Sequence, residues 1–181
     1  YNQWKHILER GYSLKFKARN PSYLLVSVSE KWHLFSNFKS WMEKQPWENM
    51  EMDKDILVAN NLEYSETSCC FVPKKVNNLL IDRFRGRGDF LLGVHFNPNM
   101  KNKYIASVSH NGKRIYLGSH PTPEKAHTEW QKAKSENIKD TVNWWKTDTD
   151  HRHTYQKNVA KKLLEIADQL WNNSQSGIIT H

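Results

Sequence analysis

Apolar side chains recur along this chain at several distinct spacings, and each spacing predicts a different element. Trp4, Ile7 and Leu8 fall on one side of a helix near the start. Pro21 breaks that pattern, and the run Tyr23 to Val28 reads as a short strand or an extended turn. Trp32, Phe35, Phe38 and Trp41 then follow at three-residue steps, with Leu34 and Met42 nearby. That is an aromatic helix face, and its plainest reading is a packing stripe. From Met52 to Val58 charges are set into an apolar run, which predicts extended backbone. Asn60-Asn61 signals a turn. Ser68 to Val72 reads as a second strand, closed by Pro73, and Lys74 to Leu80 as a helix starting beside that proline. The predicted order is strand, loop, strand, helix.

Residues 81–90 contain two glycines and three arginines and read as a basic linker. Three alternating strands are predicted beyond it, at roughly 91–96, 103–109 and 114–118. Asn111-Gly112 between the last two is a hairpin signal, because a type I′ turn needs positive φ at both central residues. Thr122 and Pro123 then open a helix as cap and first residue, and its pattern carries to about residue 138. Trp144-Trp145 falls in a polar connection. A last amphipathic helix is predicted over about 152–172, with Val159, Leu163, Ile166, Leu170 and Trp171 along one side.

Composition sharpens this picture. A mean hydropathy of -0.83 is polar for a folded chain. The eight Trp, seven Tyr and seven Phe compensate, since each aromatic buries a large area. The formal net charge is +8, which points to a polyanionic partner. No apolar run approaches the roughly 20 residues that span a bilayer, and no secretory apolar segment is visible. Nucleic acid is therefore preferred over membrane. The chain starts at Tyr1 rather than Met, so a longer parent chain stays open. Cys69 and Cys70 are adjacent and project to opposite faces of a strand, so they are poorly placed to share a metal or to pair. They are expected to be reduced thiols, at least one of them buried, as in a cytoplasm.

Candidate chemistry lies in the strand, loop, strand, helix segment. Asp53 and Asp55 lie two apart, which puts them on one face of a strand. A helix returning after the hairpin would bring Asn77 beside the end of the first strand. A carboxylate and an amide oxygen there suit a hard cation such as Mg2+ or Mn2+. Phosphodiester cleavage uses such a cation to neutralise the scissile phosphate and the departing oxygen.

On these residues the chain resembles the HNH (ββα-metal) endonucleases encoded by phages, including the homing type. The resemblance rests on Asp53-Lys-Asp-Ile-Leu57, Tyr64-Ser65, Cys70-Phe-Val-Pro73 and Val76-Asn77. It extends upstream to Trp32, Phe35, Phe38, Trp41-Met42 and Gln45-Pro-Trp47. It implies Asp53 and Asn77 as metal ligands, with Asn78 the alternative to Asn77 and Asp55 supporting or joining the site. A host bacterial cytoplasm is implied as well. In most members a His follows the Asp and acts as general base; here Lys54 stands in that place, and no His occurs from 34 to 94. A lysine takes up a proton only where burial or a nearby cation favours its neutral form. Three readings stay open: Lys54 is the base or a phosphate anchor, a distant His such as His33 or His95 folds in, or the site binds DNA and cuts poorly.

The basic residues from 83 to 118 are Arg83, Arg85, Arg87, Lys101, Lys103, Lys113 and Arg114, opposed only by Asp89 (7 − 1 = +6). That is a plausible phosphate-tracking surface. Gly93-Val94, Tyr104 to Val108, Gly112 to Gly118 and Thr122 to His127 resemble the plant ethylene-response (AP-two) DNA-binding domain. The resemblance implies a three-stranded sheet in the major groove, backed by one helix. Alternation directs Val94, Phe96, Tyr104, Ala106, Val108, Ile115 and Leu117 towards that helix at Ala126 and Trp130. It leaves His95, Asn97, Lys103, Ser107, Ser109, Arg114 and Tyr116 outward, with Arg114 the candidate for a bidentate guanine contact.

The expected fold is α+β. An N-terminal helical segment leads into the ββα-metal motif over 1–80. A linker at 81–90 and an AP-two-like domain with a C-terminal helix over 91–181 follow. The expected function is a metal-dependent DNA endonuclease, nicking or cutting both strands, with Asp53, Lys54 and Asn77 as catalytic residues. The alternative is a non-catalytic, sequence-specific DNA-binding protein of the same descent, and a weaker third is RNA binding. The oligomeric state, monomer included, is left open.

Overall fold

The computed structural model describes residues 1–80 and 90–179. Its contacts divide the chain into two compact units. The first comprises residues 1–77 and 149–159, and the second 78–148 and 160–181. The class is mixed α and β.

In the first unit, helix α1 spans Asn2–Tyr12 and buries Ile7 and Gly11. Gly11 is needed where it stands, because a Cβ there would lie 2.9 Å from Val28 Cγ2. The Trp4 indole donates to the Trp32 carbonyl at 2.7 Å, which ties α1 to the aromatic stretch. Helix α2, Leu14–Arg19, starts at Ser13, whose hydroxyl accepts from the Phe16 N–H. The Tyr23–Val28 run is mostly turn: a 3-10 helix covers Pro21–Tyr23, and strand β1 is only Ser27–Val28. Trp32 also sits in a 3-10 turn, and α3 begins at Phe35 and ends at Met42. Trp32, Phe38 and Trp41 nonetheless meet as predicted, with Trp32 and Trp41 ring centroids 4.6 Å apart.

Strand β2 is Glu51–Asp53, β3 is Glu63–Tyr64 and β4 is Cys70–Val72. β1 pairs with β3 in parallel, and β2 pairs with β4 antiparallel, with Asp53 opposite Cys70. Helix α4, Lys74–Asn77, follows at once and packs on β2 through buried Val76. Both cysteines are buried and unpaired. Burial pushes the Cys69 thiol up to about 12, so it is an inert thiol. The late segment joins this unit where the Gln156 amide donates to the Phe71 carbonyl at 2.6 Å.

In the second unit β5 is Val94–Phe96, β6 Tyr104–His110 and β7 Lys113–His120. They form one antiparallel sheet in that order. Asn111 and Gly112 make the predicted hairpin turn, with φ of 51° and 75°. Helix α5 runs from Pro123 to Thr147, capped by the Thr122 hydroxyl. It is longer than predicted: Ile138, Val142 and Trp145 are buried on it, so the tryptophan pair belongs to the helix and not to a connection. Helix α6, Lys157–Ser176, begins in the first unit and continues in the second. There the Ser135 hydroxyl of α5 donates to the Ala167 carbonyl of α6 at 2.7 Å. Val94, Ala106 and Ala126 form the contact between sheet and α5. Among the described residues no helix is long and apolar enough to cross a membrane.

Candidate functional site

The end of β2 is shaped by one side chain. Asp53 turns its carboxylate back on the chain, and Oδ1 accepts from the Asp55 N–H at 2.7 Å and the Ile56 N–H at 2.8 Å. This local bond competes with strand extension, so β2 stops at Asp53 instead of continuing to Val58. The expectation that Asp53 and Asp55 share a strand face is corrected: Asp55 lies beyond the strand and is exposed. Burial raises the Asp53 carboxyl above the usual carboxylate range, and the two N–H groups pull it back only in part. The other carboxylate oxygen has no hydrogen-bond partner among the described residues.

Lys54 is held closely. Its ammonium pairs with Asp55 at 2.6 Å and donates to the Asn61 carbonyl at 2.6 Å, and its side chain is 11% exposed. Asn61, at the predicted turn, answers by donating its amide to the Lys54 carbonyl at 2.9 Å. Asn61 was legible as a turn residue but not as the partner of Lys54, because that pairing needs the loop to close. Of the distant histidines, His33 is bonded to the Tyr12 hydroxyl at 2.7 Å, and His95 lies on the sheet of the second unit. Asn77 ends α4 half-buried, on the helix that packs against the strand of Asp53.

The candidate ligands here are one half-buried carboxylate, Asp53, and the Asn77 amide on the helix that packs against its strand. Among the described residues no three His, Cys, Asp or Glu gather into a metal-holding group. A hard cation that keeps several waters and takes the rest of its ligands from substrate phosphate fits such a sparse set; a zinc framework does not.

The sheet in the second unit presents the other face of interest. Pairing puts His95 beside Ile105, Ser107 beside Tyr116 and Ser109 beside Arg114. Arg114 then reaches across all three strands. Its Nε donates to the Ser107 hydroxyl at 2.9 Å, and Nη2 meets His95 Nδ1 at 3.1 Å. Among the described residues no carboxylate pairs with it. Tyr116 is 59% exposed beside it. Ser109, Lys103 and Lys113 are exposed as expected, and Asn97 is taken up by a turn, where its side chain accepts from the Asn99 N–H.

Two expectations about this sheet need correction. Ser107 points outward but is buried, in hydrogen-bond contact with the Arg114 guanidinium. Phe96 and Ile115 have the inward parity yet are 41% and 43% exposed, because parity fixes direction and not how far a helix covers. Ile105 and Ser119 complete the outward face and were missed, although Ile105 shares the parity of Lys103 and Ser107. Arg83, Arg85 and Arg87 lie outside the described residues.

Burial first, and the Arg114 charge second, hold His95 below the ordinary imidazole range. The Nδ1 lone pair that meets Arg114 exists only in the neutral ring. An NMR titration should therefore place the His95 midpoint below that of an exposed histidine. In Arg114→Ala the midpoint should rise, but not fully, since burial is the larger cause. An unchanged midpoint would mean that the two side chains do not interact.

No protein-family model, no curated protein sequence and no solved structure matches this chain.

Proposed function

We propose that the protein binds duplex DNA through the outward face of its three-stranded sheet and cleaves phosphodiester bonds at Asp53 with a divalent metal. The observation that carries the reading is Arg114. A guanidinium held across a sheet by Ser107 and His95, with no carboxylate partner among the described residues, is preorganised for an external planar acceptor. The O6 and N7 edge of guanine is such an acceptor, and exposed Lys103 and Lys113 supply phosphate contacts around it.

Cleavage is supported by the antiparallel pairing of β2 with β4 and by the helix α4 that follows at once, an order that a ββα-metal site would use. Asp53 and Asn77 would hold Mg2+ or Mn2+, with Asp55 at the edge of the site. When bound, the ion would supply neutralisation of the phosphate and activation of water. The chain's own part is orientation: the Asp55 and Ile56 N–H groups fix one oxygen of Asp53 and leave the other without a hydrogen bond among the described residues. Lys54, tied to Asp55 and the Asn61 carbonyl, acts as a strut for this loop and a fixed positive charge rather than as a proton acceptor.

That constraint on Lys54 favours one second reading, a DNA-binding protein that does not cut. Supercoiled plasmid with Mg2+, Mn2+ or EDTA separates the two. The first reading expects metal-dependent nicking, and the second expects a salt-dependent gel shift with no relaxation in either metal. RNA binding is tested by the same shift with duplex RNA as competitor.

A further inference from the structure

The segment from residue 10 to 29 holds Arg10, Lys15, Lys17 and Arg19 and no acidic residue. It also holds Leu14, Leu24 and Leu25, which are 83%, 59% and 76% exposed. Leu24 and Leu25 stand side by side on a turn that several bonds make rigid. The Lys17 ammonium donates to the carbonyls of Leu24 at 3.1 Å and Val26 at 2.9 Å, closing the turn from below. The Leu24 N–H donates to the Pro21 carbonyl and the Val26 N–H to that of Tyr23. The Tyr23 ring meets Phe16 edge-on at 5.3 Å, and Asn20 caps the end of α2. Val26 is buried, so the turn is anchored in the core on one side while its two leucines face solvent on the other.

We infer that Leu24 and Leu25 form a wedge that enters a base step of duplex DNA, with Lys15 and Arg19 of α2 on the flanking phosphates. Two exposed leucines alone would fit many partners. Their setting narrows the choice, because every charged residue from 10 to 29 is basic and the turn that carries the leucines is braced by Lys17. DNA-bending proteins use the same combination, apolar side chains inserted between bases and Lys or Arg on the backbone. Electrostatic attraction brings the duplex to the tip, and burial of the leucines offsets the unstacking they cause. The inference rests on the reading that this protein acts on duplex DNA, and it adds a contact made by the first unit.

The test uses the full chain and short duplexes with 2-aminopurine at successive positions, together with a gel shift at low salt. Binding should raise 2-aminopurine fluorescence severalfold at one step. Leu24→Ser with Leu25→Ser should remove that rise while affinity changes by no more than about tenfold, because burial and unstacking nearly cancel. Leu25→Ser alone should remove part of it. Both positions are exposed, so an unchanged melting temperature verifies the fold. A rise retained in the double variant, or a shift without a rise in the unaltered chain, overturns the wedge and leaves DNA binding standing. No shift at all overturns both. Sedimentation with phosphatidylserine vesicles that is lost in the double variant, with no fluorescence rise on DNA, would assign the tip to membrane instead.

Discussion

Gly93→Ala should destabilise the second unit by roughly 2–5 kcal/mol. Gly93 has φ of +74°, and a Cβ there would lie 1.9 Å from Cδ1 and 2.1 Å from Cγ of Trp130. The backbone penalty alone is about 1–2 kcal/mol, and forcing extra volume into a packed contact adds about 1–3 kcal/mol. Trp130 has little freedom to retreat. Its ring stacks on His127 at 5.3 Å, and His127 Nδ1 is bonded to the Leu92 carbonyl at 2.9 Å. The strain therefore passes into β5, whose neighbour β6 is held by the Ser107 N–H to the Gly93 carbonyl. Urea unfolding should show the loss, and duplex binding should fall with it. Gly112→Ala is the control: φ is +75° but nothing lies within 4 Å of the added methyl, so only the backbone penalty applies. Equal effects at both glycines would mean that the Trp130 contact carries no weight.

Gly93 also shows what the sequence could and could not reveal. Its need for a missing side chain comes from Trp130, far along the chain, and no local pattern announces it. The Asn111-Gly112 hairpin and the Thr122-Pro123 cap were legible, because a turn and a helix start are decided by the residues that make them. The parity of the sheet was legible for the same reason. Its irregularities were not: the register shifts between Ala106 and Ser107, and Phe96 and Ile115 stay exposed because cover depends on the reach of α5. The end of α5 lies beyond residue 138 because Ile138, Val142 and Trp145 keep the helical period, a signal present in the sequence. At the candidate metal centre the residue types could be picked out but not their engagements. Whether Asp53 extends a strand or turns back on it is a contest between ladder pairing and the local bonds its carboxylate makes, and the residue type is compatible with either.

The same contest makes Asp53 the decisive position, through a pair of variants. Asp53→Asn keeps an oxygen that can accept from the Asp55 and Ile56 N–H groups but removes the charge. Asp53→Ala removes both, and leaves the N–H of Ile56, a residue 2% exposed, without its acceptor. An unsatisfied buried N–H costs about 1–3 kcal/mol, so only the alanine variant should lower the melting temperature by that measure. Nicking should respond differently. If Asp53 holds the cation, both variants lose the same charge–metal bond, and metal-dependent relaxation of plasmid should fall by about 10²–10³-fold or more in each. DNA binding measured in EDTA should survive in both, because Arg114 and the sheet belong to the other unit. Asn77→Ala should be milder, since a water can replace a neutral amide oxygen on a cation that already keeps several. Relaxation by Asp53→Asn at the rate of the unaltered chain would show that this carboxylate only terminates a strand. Loss in both variants with stability lost in only one would separate its charge from its hydrogen bonds, and assign the charge to the cation.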